Sequence, residues 1–344
     1  MTVQDRTRLT DSVPHSFLNG DHKLPEKSQF FLVLAPMAGI TDRAFRTLCG
    51  KFGADFSVTE MVSAKAVNFG DRKTAEIAET GGEGRVSVQI FGSDPDIMAN
   101  AARIITHRAD ERHTPLSSID INMGCPMKKI VTNGEGSALM RNPELIFRIV
   151  SAVKSATDLP ISVKLRTGWD HSHINAVECA LAAVSGGASV ITVHGRTKEQ
   201  LYAPPVDYDT IANVKNAVGS VTVIGNGGIT DTKSALRMLE TGIDGIMIGQ
   251  GAIGRPWVFS EIKAGLSGRE YSEPNVRERL AVAKEQLLMM AEFKSEYAAV
   301  HEGRRHLMWY VKGIRGAAAF RDRLCESSSL DEIFKALDRL SDSY

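Results

Sequence analysis

Eight short β-rich runs recur in this chain at intervals of about 31 residues, with helical patterns filling the gaps. The runs are Phe31–Pro36, Phe56–Met61, Val86–Phe91, Ser118–Met123, Ile161–Arg166, Val190–Gly195, Val221–Asn226 and Gly245–Gln250. Val, Ile or Phe dominate each, as in strands buried on both faces. Between them stand helix starts: Asp94–Pro95 before Ile97, Asn142–Pro143 before Leu145, and Thr230–Asp231 before Ala235. Strands alternating with helices imply right-handed βαβ units and a parallel sheet. Eight such units match a (β/α)8 TIM barrel of the usual ~250 residues. A doubly wound sheet has fewer strands and no eightfold beat.

The beat stops near Leu266. A helical pattern then opens at Pro274 and carries Val276, Leu280, Ala283, Leu287 and Met290. A second helix is expected over Val300–Phe320 and a third over Leu330–Leu340. The expected organisation is a loosely ordered N-terminal extension over 1–28, a barrel over 29–266 and a C-terminal all-helical domain over 267–344. The 41 basic and 41 acidic side chains balance, which excludes a globally basic nucleic-acid binder but not a local basic patch. Four scattered cysteines without a C-x-x-C pair argue against zinc or a disulfide framework, and no metal site is expected. The N-terminus has no apolar signal region, and the longest apolar stretch, Cys179–Val193, is too short to span a membrane. These features read as a cytoplasmic protein, expected to act as a monomer.

Barrel chemistry sits at the C-terminal ends of the strands. Here those ends carry Pro36-Met37-Ala38, Glu60, Gln89, Asn122 with Gly124-Cys125-Pro126, Lys164 and Arg166, His194, Asn226-Gly227-Gly228, and Gly249-Gln250-Gly251. The last two loops, after the seventh and eighth runs, are the usual phosphate site of such barrels. Gly249, Gly251 and Gly254 also fit G-x-G-x-x-G, but no later strand supports a dinucleotide fold. Lys164 and Arg166 share one strand face. An inward cation there can stabilise negative charge on a bound ring. The Gln89 amide offers donor and acceptor to the edge of a heterocycle. His194 is either a satisfied core histidine or a ligand contact; Glu60 is either a ribose or substrate contact or a salt-bridge partner. Cys125, in a Gly-Cys-Pro turn, can serve as a general acid, because an unperturbed thiol is mostly protonated at neutral pH.

At these residues the sequence resembles the tRNA-dihydrouridine synthases, most closely the bacterial B-type subgroup. The resemblance runs through LAPMAGITDRAFR, TEMVSAKAV, VQIFGSDP, DINMGCPMKKI, GSALMRNP, VKLRTGW, VHGRTKEQ, IGNGGITD and MIGQGAIGRPW, and on into HLMWYVKGI. It implies FMN at the barrel mouth, NADPH as reductant and a tRNA uridine as substrate. Carried over, Pro36, Met37 and Ala38 line the flavin ring, Gln89 bonds its pyrimidine edge, and Lys164 sits where the reduced ring becomes anionic. His194 contacts the cofactor; Asn226, Gly227, Gly228, Gly249 and Gln250 hold the phosphate. Cys125 matches the catalytic cysteine, giving a proton to uracil C5 while a hydride from flavin N5 goes to C6. Asn122 and Arg166 match residues near the target uracil. One departure stands out: the family has arginine where this chain has Gln250. Arg255 is near in sequence, but sequence alone does not bring it to that site.

From Tyr297 to Arg323 the basic residues Arg304, Arg305, Lys312, Arg315, Arg321 and Arg323 outnumber Glu302 and Asp322. With the resemblance, Arg304, Arg305, Lys312 and Arg315 become a candidate tRNA-backbone surface; without it, a solvated helix face explains them. Trp309 and Tyr310 read equally as core. Three alternatives remain open: an FMN barrel enzyme acting on a free pyrimidine or enone, a phosphate-sugar isomerase or aldolase with Lys164 as Schiff-base lysine, and a tRNA-binding protein without catalysis.

Overall fold

The computed structural model describes residues 30–344, Gly82 excepted. The extension expected over residues 1–28 lies outside the described residues. The strands are β1 (Phe31–Leu34), β2 (Phe56–Val58), β3 (Val62–Ser63), β4 (Val86–Phe91), β5 (Ser118–Asn122), β6 (Ile161–Arg166), β7 (Val190–His194), β8 (Thr222–Asn226) and β9 (Gly245–Ile248). Hydrogen-bonded neighbours run β1–β2–β4–β5–β6–β7–β8–β9 and return to β1, all parallel. Eight strands therefore close a barrel, and β3 pairs only at the end of β4.

Helices α1 (Arg43–Lys51), α2 (Ala64–Asn68), α3 (Arg72–Ile77), α4 (Pro95–Glu111), α5 (Lys128–Val131), α6 (Pro143–Ala156), α7 (Ala176–Ser185), α8 (Tyr208–Val218), α9 (Thr232–Leu239) and α10 (Val258–Leu266) lie between or after the strands. Their starts follow the local chemistry. Asp94 accepts from the Asp96 and Ile97 N–H groups ahead of Pro95, Asn142 caps α6 ahead of Pro143, and Asp231 closes a capping box with Ser234.

Side-chain alternation sorts the strands into two faces. Val88, Ile90, Ile119, Ile121, Val163 and Leu165 join helix residues in the main apolar core. The alternate positions are small or polar and bond one another across strands: Ser118 Oγ lies 2.6 Å from Ser87 Oγ, and Ser162 Oγ donates to Asp120 Oδ1 at 2.5 Å. Barrel interiors are usually filled by bulky branched side chains. This one is polar and leaves room at its upper end. The register then levels the upper layer: Gln89 stands opposite Asp120, Asn122 opposite Lys164, Arg166 opposite His194, and His194 opposite Asn226.

Two expectations need correction. The second run leaves the ladder after Val58, because the Gln89 N–H bonds the Thr59 hydroxyl at 3.1 Å rather than a further strand carbonyl. The helix expected over Val300–Phe320 is two helices. After α11 (Val276–Phe293) come α12 (Glu296–Tyr310), α13 (Ala317–Glu326) and α14 (Leu330–Ser341). Gly313 and Gly316, with φ of 79° and 87°, turn the chain between α12 and α13. These helices share a second apolar core with Ala44 and Leu48 of α1 and with Trp257, so they rest against the barrel's first helix. Among the described residues, no helix is long and apolar enough to cross a membrane.

A buried ion pair anchors the loop after β1. Arg46 Nη2 meets Glu83 Oε1 at 2.6 Å with both side chains almost fully buried, and Arg46 Nη1 donates to Thr41 O. Glu83 Oε2 also accepts from the Gly81 N–H at 2.6 Å. Glu83→Ala leaves the guanidinium buried without its counter-charge, so a loss of about 3–5 kcal/mol is expected. A urea-unfolding curve checks this; a loss under ~1 kcal/mol contradicts the anchoring role.

Candidate active site

A cavity of about 540 Å³ opens at the C-terminal ends of the strands, within the range of small-molecule and cofactor sites. All the residues singled out at the strand ends, Glu60 apart, line it: Pro36, Met37 and Ala38 after β1, Gln89, Asn122, Cys125, Lys164, Arg166, His194, Asn226, Gly227, Gly228, Gly249 and Gln250. Met61, Met127, Arg196, Tyr202 and Met247 also line it and were not anticipated. Among the described residues, no group of His, Cys, Asp and Glu is arranged to hold a metal.

Cys125 is half-buried at the rim. Asn122 Oδ1 accepts from the Cys125 N–H at 2.9 Å and the Gly124 N–H at 3.2 Å, while the Cys125 carbonyl accepts from the Ser137 N–H at 3.1 Å. Gly136 packs against that carbonyl with φ 61°; a Cβ there would meet the Cys125 oxygen at 2.9 Å, so the loop depends on glycine. Burial pushes the thiol above its ordinary pKa, although the Met127 N–H and the Arg166 and Lys164 charges oppose the shift. The thiol is therefore protonated at neutral pH.

Lys164 Nζ donates to Asn226 Oδ1 at 3.2 Å, and Asn226 Nδ2 donates to Met247 O at 2.7 Å. Burial, then the Arg166 charge, lowers the Lys164 pKa to about 8, which leaves it mostly cationic at pH 7. His194 is buried; burial first, then the charges of Lys164, Arg166 and Arg196, holds its pKa well below the ordinary value. Arg196 Nη1 lies 3.1 Å from His194 Nε2. A guanidinium only donates, so Nε2 is the acceptor and the neutral ring keeps its proton on Nδ1.

Arg166 braces the mouth. Nε donates to Gly124 O at 2.7 Å, and Nη1 donates to Thr197 O and Leu201 O at 2.8 Å each. It ties the Cys125 loop to the loop after β7. Gly227, with φ 120°, lies against His194, and the Arg196 guanidinium stands beside Gly227 and Gly228. Arg255 does not reach these loops with a free guanidinium: it pairs with Glu261 and Glu273 and donates to Thr230 O.

Glu60 resolves as a backbone anchor. Its Oε2 accepts from the Gly39 N–H at 2.5 Å. The opposite side of Gly39 is held from the tail, where Arg305 Nη1 donates to Gly39 O at 3.0 Å. Lys312 stands over the Trp309 ring at 5.2 Å, and Arg315 is exposed. Arg304 is half-buried and donates to Ser327 O at 2.7 Å, whereas Arg305, Lys312 and Arg315 are exposed. Tyr310 is core, whereas Trp309 is 38% exposed.

A closed parallel barrel with a cavity at its strand ends, walled by glycine loops, an inward lysine and a loop thiol, has the architecture of a (β/α)8 barrel enzyme with a small-molecule site. The dihydrouridine synthase (Dus) profile matches residues 33–343, and the chain belongs to that family. The tRNA-dihydrouridine synthase B of Shewanella oneidensis is 41% identical over 283 residues, covering 81% of this chain and 86% of that protein. The tRNA-dihydrouridine synthase B of Pseudomonas putida is 42% identical over 296 residues, covering 85% and 86%. Among solved structures, mandelate oxidase with benzoyl-formic acid covers 69% of this chain and 74% of its own at 21% identity and TM-score 0.46, a likeness that bears on no residue here.

Proposed function

We propose that the chain reduces specific uridines of tRNA to 5,6-dihydrouridine, with FMN held in the cavity and NADPH as reductant. The observation that carries this is the convergence of the family's motif residues from seven of the barrel strands on one cavity beside a protonated thiol. The residues present suit a flavin. Gly249 sits at the cavity wall, where a Cβ would be in ordinary contact with Ala35 and Met37 at 3.6 Å. Gln89 offers an amide to a pyrimidine edge, and Lys164 offers a cation to the carbonyl edge. Neutral His194 presents Nδ1–H, and Arg196 supplies beside Gly227 and Gly228 the positive charge that Gln250 lacks.

When bound, the reduced flavin supplies a hydride from N5 to uracil C6. Cys125 supplies the matching proton to C5, and the thiolate is reprotonated from solvent. A thiol kept protonated by burial suits that task at neutral pH. Asn122 fixes the loop that carries it, and Arg166 holds the same loop against the far wall, next to the uracil. The target base must leave the tRNA stack to enter. Arg305, Lys312 and Arg315 then serve the phosphate backbone.

Two measurements test this. Purified protein should release one FMN per chain on denaturation; colourless protein that takes up no added FMN overturns the cofactor assignment. Lys312→Ala with Arg315→Ala should weaken tRNA binding and flatten its dependence on salt by about two phosphate contacts. An unchanged slope contradicts the tRNA surface.

A further inference from the structure

Asp120 is a buried carboxylate, 1% exposed, below the cavity floor, and the chemistry proposed above does not use it. Its Oδ1 accepts from Ser162 Oγ at 2.5 Å and its Oδ2 from Gln89 Nε2 at 2.6 Å. Gln89 Oε1 in turn accepts from Asn122 Nδ2 at 2.8 Å. Asn122 Oδ1 accepts from the backbone N–H groups of Gly124 and Cys125. Three successive links, Asp120 to Gln89 to Asn122 to the Cys125 N–H, form one unbroken chain from β5 and β4 to the thiol loop.

The polarity of this chain is fixed at both ends. A carboxylate only accepts, and a backbone N–H only donates. Each amide between them must turn its NH2 towards Asp120 and its oxygen towards Cys125. An amide alone has no such preference, since its two ends are nearly the same shape. Were Gln89 to flip, its NH2 would face the NH2 of Asn122, and Asn122 would have to release the Cys125 N–H to recover a partner.

We propose that Asp120 is a positioning residue that sets the amide polarity of Gln89 and Asn122, and so holds the cofactor-reading amide and the proton-donor loop in one register. The cofactor arm rests on the proposed FMN site; the loop arm does not. Burial raises the Asp120 pKa to about 6, and the Ser162 and Gln89 hydrogen bonds and the Lys164 charge restrain the rise, so the group is mainly ionised at pH 7 and acts as the acceptor this role requires.

The test uses full-length protein carrying Cys325→Ser, which removes the exposed thiol and leaves Cys125 the accessible one beside buried Cys49 and Cys179. In that background Asp120→Asn keeps the volume and removes the acceptor-only end. Two events are read: Cys125 alkylation by iodoacetamide, from its rate, and FMN binding, from its dissociation constant and visible spectrum. Asp120→Asn should change the alkylation rate at least threefold, weaken FMN about tenfold and shift its absorption bands. Asp120→Ala, which removes the acceptor outright, should move both in the same direction, and decides the matter if Asp120→Asn does not fold. Unchanged alkylation in the folded variants overturns the proposal. Parent protein that binds no FMN overturns the cofactor reading instead, and the alkylation arm still decides the role of Asp120.

Discussion

Cys125→Ala is expected to lower dihydrouridine formation by about 10²- to 10⁴-fold, the range that a positioned proton donor contributes. The loss falls on one step. NADPH should still reduce the bound cofactor at close to the normal rate, because the Cys125 side chain takes no part in these hydrogen bonds of Lys164, His194 and Asn226. Reoxidation of the cofactor by tRNA should become slow. The loop itself should persist, since it is held through its backbone by Asn122, Arg166 and Ser137. Stopped-flow absorbance separates the two half-reactions. A variant that reoxidises with tRNA at the parent rate removes Cys125 from the proton-donor role. The raised thiol pKa also gives a sign: the donor is present through neutral pH and is lost as pH climbs past its pKa, so the reoxidation rate should fall only on the alkaline side.

Lys164→Ala is expected to weaken FMN by about ten- to a hundredfold, the worth of a hydrogen bond to a charged group. It should also lower the reduction potential, because the cation favours the anionic reduced ring. Titration equilibria fix the pH dependence. The free site holds Lys164 with a pKa of about 8, and a ligand that prefers the charged form raises it. Parent affinity should therefore be level below about pH 8 and decline above it, whereas the alanine variant should be level throughout. Equilibrium fluorescence titrations from neutral to alkaline pH report both. Equal affinities and parallel profiles contradict the placement of the lysine against the ring.

The barrel was legible because parallel strands covered on both faces must be short and apolar, and the helices between them carry their own caps. Strand ends from β4 through β9 fell within two residues of the runs marked in the sequence. The second run was overextended because Thr59 is as β-prone as its neighbours, and only its hydroxyl bond to Gln89 shows where pairing ends. The long tail helix misled for a related reason. The run before Gly313 and the alanines Ala317–Ala319 after Gly316 suit a helix, and tertiary packing decided that both glycines turn.

Site residues were legible where a polar side chain broke an apolar run, as Gln89, Lys164 and His194 do. Asp120 gave the same signal, two residues before Asn122, but its partner on the neighbouring strand is visible only once β4 is paired beside it. Residue type says nothing of direction on a helix, which is why Arg304 and Arg305, adjacent in sequence, serve Ser327 and Gly39 respectively. Arg196 was hidden by its place past the strand end, where only the folded loop brings it beside Gly227.

The most direct test uses a tRNA transcript free of modified bases. Incubated with the FMN-loaded protein and NADPH, then digested and weighed by mass spectrometry, it should gain two hydrogens at one or a few defined uridines and at no other base. A transcript whose uridine masses stay unchanged, with the cofactor bound and reduced, contradicts the account.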